Sequence, residues 1–250
     1  MRHLDLFAGI GGFSLVASWM GWETVAQVEW DGYCQKVLAK NFPNVKRYGN
    51  IKEFDGTKYR GLIDIISGGF PCQGFSIAGK QGGKSDPRWL WPEMLRIIRE
   101  IQSPWVIGEN VPGIIKLALE DICTSLENEG YAVQPFIIPS ASVGAWDKRE
   151  RVWIIAYNGL PKADCNINIK SIQGYSWNEL SEKERERDEI RRNGQANWSR
   201  PWVEIASELC GSNARISHRL DRIKALGNSV NPHVVFEIFK AIEQYNNLKS

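Results

Sequence analysis

Short apolar runs alternate with amphipathic stretches over residues 1–157. Residues 3–7 (HLDLF) read as a strand that ends in Ala8-Gly9-Ile10-Gly11-Gly12, and residues 13–20 as a helix. A strand over 24–29 is followed by a helix over 31–41, and a strand over 62–67 by a long glycine-rich loop. Apolar residues at 90, 94, 97, 98 and 101 have helical spacing and predict a helix over 90–101. A strand over 105–108, a helix over 114–129, and strands over 132–138 and 152–156 complete the series. Such alternation predicts an α/β fold, a mostly parallel sheet with helices on both faces.

The pattern changes past Tyr157. Apolar periodicity fades over 158–217, where SEKERERDEIRR (181–192) mixes acids and bases in the manner of a solvated helix laced with i,i+4 pairs. Trp177, Trp198 and Trp202 point to packed structure nearby. Periodicity returns at Val234, Val235, Ile238, Phe239 and Ile242, an amphipathic closing helix. Three parts are therefore expected: a main domain over 1–157, a small lobe over 158–217, and a segment over 218–250 that returns to the main domain.

Composition narrows the class without deciding it. The 250 residues are 43% hydrophobic and 24% charged, which fits one large globular α/β domain with a small lobe. The 31 Lys and Arg against 29 Asp and Glu leave a net charge of +2, which permits a nucleic-acid partner without requiring one. The cysteines (34, 72, 123, 165, 210) form no C-x-x-C pair and the histidines are only 3, 218 and 233, so no metal site is expected. No apolar run is long enough to span a membrane, and the N-terminus enters a strand with no signal-peptide shape. A cytoplasmic protein with reduced cysteines is the expectation.

Two places carry candidate chemistry. Cys72 sits in Gly68-Gly69-Phe70-Pro71-Cys72-Gln73-Gly74-Phe75-Ser76, directly after an apolar strand. Open α/β sheets place their chemistry at such carboxyl ends. A free cysteine is ordinarily a small buried hydrophobe, but the stiffening Pro71 and the close-approach glycines favour a reactive thiol here. The second place is the strand–glycine-turn–helix unit over 5–13. It resembles a dinucleotide fingerprint, although Ser14 stands where a third small residue is usual. Glu29 ends the next strand at the interval suited to bonding ribose hydroxyls, and Trp30 follows as a stacking partner for adenine. Asp5, near the turn, would repel phosphate and suit a ligand bearing a cationic amino acid, which points to S-adenosylmethionine over a nicotinamide cofactor.

Taken together the motifs DLFAGIGGF (5–13), EWD (29–31), GGFPCQGFSIAGK (68–80), ENV (109–111), KRERVW (148–153) and GNSV (227–230) resemble the DNA cytosine-5 methyltransferases, in the family's order. The resemblance implies a Rossmann-like methyltransferase fold with 158–217 as target-recognition region. It implies a donor pocket lined by Phe7, Gly9, Gly11, Phe13, Glu29, Trp30, Ile51 and Leu90, with Asn228 closing it. Asn50 stands where an aspartate is usual, beside the expected adenine position. Asp147 and Gly74 also depart from the usual Gln and Pro. Cys72 would be the nucleophile, Glu109 the acid on the base ring, and Arg149 and Arg151 the holders of a flipped nucleotide, with Asn110 fixing the loop.

The chemistry agrees with those roles. Carbon 5 of cytosine is a poor nucleophile, and a thiolate added at carbon 6 turns the ring into an enamine able to attack a sulfonium methyl. A carboxyl in a dry pocket keeps its proton near neutral pH, as protonation of N3 needs. The target atom lies inside a duplex, so the base must be extruded. Gln73, Ser76, Lys80, Lys84 and Arg88 are candidate DNA contacts in the loop, and Arg200, Asn213 and Arg215 in the variable segment. The expectation is a sequence-specific enzyme of bacterial or phage type, acting as a monomer on double-stranded DNA. Two alternatives stay open: an RNA (tRNA) cytosine-5 methyltransferase, and a catalytically inactive DNA-binding relative.

Overall fold

Side-chain alternation along the central strands shows how the sheet is covered. A computed structural model of the chain describes residues 1–71, 89–145, 149–159, 225 and 227–249. Strand β1 is Arg2–Leu6, β2 Glu23–Val28, β3 Lys46–Tyr48, β4 Ile65–Gly68, β5 Trp105–Asn110, β6 Ala132–Pro139 and β7 Glu150–Tyr157. On β4, Ile65 joins one apolar cluster and Ile66 the other; on β5, Trp105 and Ile107 join the first and Val106 the second. Successive side chains of a strand point to opposite faces, so both faces are buried.

The helices are α1 Gly12–Trp19, α2 Gly32–Asn41, α3 Trp91–Ile101, α4 Ile114–Leu117, α5 Leu119–Asn128 and α6 Pro232–Lys249. One face is covered by α3 and α5, which bring Ile97, Ile98, Ile101, Ile122 and Leu126 to Leu4, Leu6, Ile66 and Val106. The other is covered by α1 and α6, which bring Phe13, Val16, Phe239 and Ile242 to Ile65, Ile107 and Trp153. The Trp22 and Phe239 rings stack at 4.6 Å, so the closing helix seals this second cluster.

The sheet order is β3-β2-β1-β4-β5-β7-β6. Pairs β1–β2, β2–β3, β1–β4 and β4–β5 are parallel, whereas β7 runs antiparallel to both β5 and β6. The chain runs outward from β1 to β3 and then restarts at β4 on β1's other side. The crevice between the carboxyl ends of β1 and β4 is a topological switch point, the usual ligand position in open α/β sheets.

Two details depart from the sequence reading. Strand β3 has the sequence Lys-Arg-Tyr, which carries no apolar alternation and was not anticipated. The helix expected over 114–129 is broken at Ala118, whose φ of −156° is not helical. Strand β7 alone runs against the other six, so the sheet is mostly parallel, as expected. Among the described residues no helix is long and apolar enough to cross a membrane, and no group of three His, Cys, Asp or Glu is placed to hold a metal ion.

Candidate active site

The turn after β1 is built by backbone conformations that side chains ordinarily avoid. Gly9 and Gly11 have φ of +55° and +92°, and Phe7 has φ of +54°. Left-handed geometry at a bulky residue is rare and costs about 1–3 kcal/mol. It turns the chain sharply out of the sheet so that α1 starts at Gly12. A Cβ at Gly11 would lie 2.5 Å from the Phe42 ring, and one at Gly12 would lie 2.6 Å from Val230. A Cβ at Gly9 would meet nothing within 4 Å, so that glycine borders open space. The turn is packed beneath and open above, which fits a ligand lying against Gly9.

Glu29 fixes the neighbouring edge. Its carboxylate accepts from the Gly9 and Asp31 backbone N–H groups, at 2.7 Å each. Burial raises its pKa, and those two donors oppose the rise. Trp30 is 75% exposed, leaving its indole available to a planar ring. Asp31 caps α2 by accepting from Tyr33 and Cys34 N–H, which holds this strand end against the helix.

Asp5 is not at the ligand surface. It is fully buried, and its carboxylate accepts from the Ser14 N–H at 3.1 Å, the Ser14 hydroxyl at 2.6 Å and the Ser67 hydroxyl at 3.3 Å. His3 Nε2 lies 2.7 Å from the Ser67 hydroxyl and its Nδ1 3.1 Å from the Thr24 hydroxyl, while Gln27 donates to Ser14 at 2.9 Å. The expected donor contact at Asp5 is thereby replaced by a role under the turn. Strand β1 turns His3 and Asp5 to the face where its neighbours carry apolar residues, and hydroxyls from α1 and β4 satisfy them. Burial pushes the Asp5 carboxyl up to about 7 and the His3 imidazole down to about 3.

Across the crevice, β5 ends in Glu109-Asn110. Glu109 is 7% exposed. Its Oε1 lies 2.9 Å from Arg151 Nε, an ion pair without hydrogen-bond alignment. Burial raises the Glu109 pKa, opposed first by the charge of Arg151 and then by that of Arg149. Both arginines therefore act on one carboxyl. A Cβ at Gly69 would sit 3.2 Å from Glu109 Oε2, so glycine lets the carboxyl lie against the chain leaving β4. Asn110 ties that chain down: its Nδ2 donates to the Phe70 carbonyl at 3.0 Å, while its Oδ1 accepts from Val111 N–H at 2.9 Å. Phe70 packs edge-on to Trp89 at 5.9 Å and also contacts Trp91 at 5.1 Å. Gly69 and Phe70, in the chain that leads to Cys72, are thus held beside the end of β5.

The profile of the C-5 cytosine-specific DNA methylase family matches residues 1–204. The chain belongs to that family. Type II methyltransferase M.HhaI of Haemophilus parahaemolyticus is 35% identical over 178 residues, which are 69% of this chain and 52% of the relative. Type II methyltransferase M.HgiCII of Herpetosiphon aurantiacus is 38% identical over 159 residues, 62% of this chain and 36% of the relative. The chain thus spans between about a third and a half of these curated relatives. Among solved structures, the Entamoeba histolytica methyltransferase EhMeth superposes with a TM-score of 0.68 over 100% of this chain and 99% of its own, at 16% identity. That likeness is one of fold.

The remaining expected residues separate by location. Ile51 is buried in the main core, and Asn50 accepts from Lys52 N–H at 3.0 Å and donates to Glu53 at 2.7 Å, so its amide shapes the turn after β3. Leu90 is half-buried at the start of α3, and Phe7 packs on the same core. Phe13 is buried against Trp153 on the far side of the turn. Asn228 is exposed, next to Ser229 and Val230, which lie over Gly12. Cys72, Gln73, Ser76, Lys80, Lys84, Arg88, Asp147, Arg200, Asn213 and Arg215 lie outside the described residues, as does most of the proposed recognition lobe. The sequence reading missed Ser14 and Ser67, whose hydroxyls take up Asp5, and Arg96 on α3.

Proposed function

We propose that the chain transfers a methyl group from S-adenosylmethionine to carbon 5 of an extruded cytosine in double-stranded DNA, through a covalent bond between Cys72 and carbon 6. One observation carries the reading. A carboxyl whose pKa is raised by burial lies in an ion pair with Arg151 and against Gly69, in the chain that leads into Cys72. Family membership and the type II methyltransferase relatives support the substrate class.

The donor fits on the other side of the switch point. Gly9 borders open space, Trp30 offers an exposed indole, and the Glu29 carboxylate stands at the strand end within reach of sugar hydroxyls. When bound there, S-adenosylmethionine supplies an electrophilic sulfonium methyl. On the target side the Cys72 thiolate adds to carbon 6, and the displaced ring electrons move towards carbon 5 and N3. Glu109, whose pKa burial raises, donates a proton to N3 and takes the developing charge. Arg151 and Arg149 hold the carboxyl in place and orient the base through their planar donors. Carbon 5 takes the methyl as its bond to the sulfonium sulfur breaks and leaves a neutral thioether; the carbon 5 proton then passes to a base, the carbon 6–sulfur bond breaks to return the thiolate, and N3 gives its proton back to Glu109. Gln73, Ser76, Lys80, Lys84 and Arg88 contact the opened duplex, and the 158–217 segment selects the sequence, with Arg200, Asn213 and Arg215 among its base readers.

Bisulfite sequencing of DNA from cells expressing the chain tests this directly, with Cys72→Ser as control. Methylated cytosines in one sequence context, absent with the variant, are expected. Purified protein that labels tRNA and leaves duplex DNA unlabelled would overturn the DNA assignment. Duplex DNA carrying 5-fluorocytosine is expected to form a denaturation-resistant adduct, since fluorine cannot leave as a proton does.

A further inference from the structure

We propose that Arg96 is a positioning residue for the methyl donor, a clamp that sets the Asn50–Ile51 turn relative to Leu90. This rests on the donor site assigned above. Arg96 stands on α3, the helix that Leu90 precedes. Its Nη2 donates to the Ile51 carbonyl at 2.7 Å and its Nη1 to the Phe54 carbonyl at 3.1 Å. Its Nε pairs with Glu93 and its Nη1 with Glu100, on its own helix. The other Glu100 oxygen accepts from the Gly56 N–H at 2.8 Å. A Cβ at Gly56 would fall 2.8 Å from that oxygen, so glycine is what allows the approach.

Helix-surface pairing explains Glu93 and Glu100, at i−3 and i+4. It does not explain two carbonyls from a different segment, both met by one planar fork. Guanidinium geometry suits such double contact, whereas lysine is a single point charge. The two carbonyls belong to the segment after β3 that carries Asn50 and Ile51, residues that the family resemblance puts at the donor pocket. Leu90, which immediately precedes the helix that carries the clamp, packs on the same apolar cluster as Ile51. The turn has a second anchor: Phe54 is buried, with its ring stacked on Tyr59 at 5.7 Å and edge-on to Tyr48 at 4.8 Å. Loss of the clamp therefore leaves the turn folded and shifts Ile51, so the consequence falls on donor binding more than on stability.

The test is titration calorimetry of the full chain with S-adenosylmethionine, alongside steady-state methylation and thermal melting, for wild type, Arg96→Gln and Arg96→Lys. Arg96→Gln is expected to weaken donor binding about tenfold and raise the donor KM in step, with kcat at saturating donor within about twofold. Arg96→Lys, keeping one contact, should fall between. Should Arg96→Gln not fold, the lysine variant alone decides. Wild type that binds no donor overturns the underlying reading. Wild type that binds, with folded variants of unchanged affinity or with kcat reduced at unchanged KM, overturns the clamp alone.

Discussion

The two sides of the switch point each present a carboxyl whose pKa is raised by burial, Glu29 partly and Glu109 fully enclosed, yet they are held in different ways. On the donor side Glu29 is gripped by two backbone N–H groups of its own turn, Gly9 and Asp31. Backbone donors are fixed in place, so this carboxylate is a rigid acceptor for neutral hydroxyls. On the target side Glu109 faces two arginine side chains and no aligned donor at Oε1. Side chains adjust, and a carboxyl without aligned donors can hold a proton or release it. One fold thus sets two carboxyls of the same residue type in different surroundings, by choosing backbone or side chain as the partner, and the proposed roles of binding and proton transfer divide along that line.

Four substitutions would break or sharpen that contrast. Cys72→Ser should reduce methyl transfer by more than about a thousandfold with donor binding intact, as labelled-donor assays and calorimetry would show. Glu109→Gln should lower kcat by about 10²–10⁴-fold without changing donor affinity. The wild-type rate should also decline on the alkaline side, as the raised Glu109 group loses its proton, and that limb should vanish in the variant. Glu29→Ala should weaken donor affinity about tenfold and leave kcat at saturation little changed; equal affinities by calorimetry would refute its ribose role.

The smallest effect on activity is expected below the turn. Asp5 has a folded pKa near 7, above its unfolded value, so more protons are bound folded than unfolded between about pH 4 and 7. Its contribution to stability is present below that window and is lost as pH rises through 7. His3, pushed down to about 3, has the opposite slope and contributes above its unfolded value. Asp5→Asn should remove the first and keep the second. Relative to wild type, the variant should gain about 3 kcal/mol between pH 4.5 and 7.5 by urea denaturation. Parallel curves would show that Asp5 ionises as an ordinary carboxyl.

What could be seen in the sequence follows from the range over which each feature is determined. The Gly9–Gly12 turn, Glu29, and the Glu109–Arg149–Arg151 trio are each set by a few adjacent residues and a strand end, and their places were readable. Asp5 was misread because its surroundings come from Ser14 and Ser67, the latter far along the chain. Arg96 gave no signal because its partners are carbonyls, which every residue carries. Strand β3 gave none because three polar-flanked residues have no period. The antiparallel arrival of β7 depends on pairing with β5, which no local pattern encodes.

Gly12 touches Val230, and Phe239 covers Trp22 and Phe13. The first helix of the chain is therefore unfinished until residues 232–249 have been synthesised. On the ribosome, a nascent chain that has made both carboxyl-bearing strands still exposes an oily flank, which makes it a client for holding chaperones. Premature termination before Pro232 should therefore yield aggregates and no soluble partial fold.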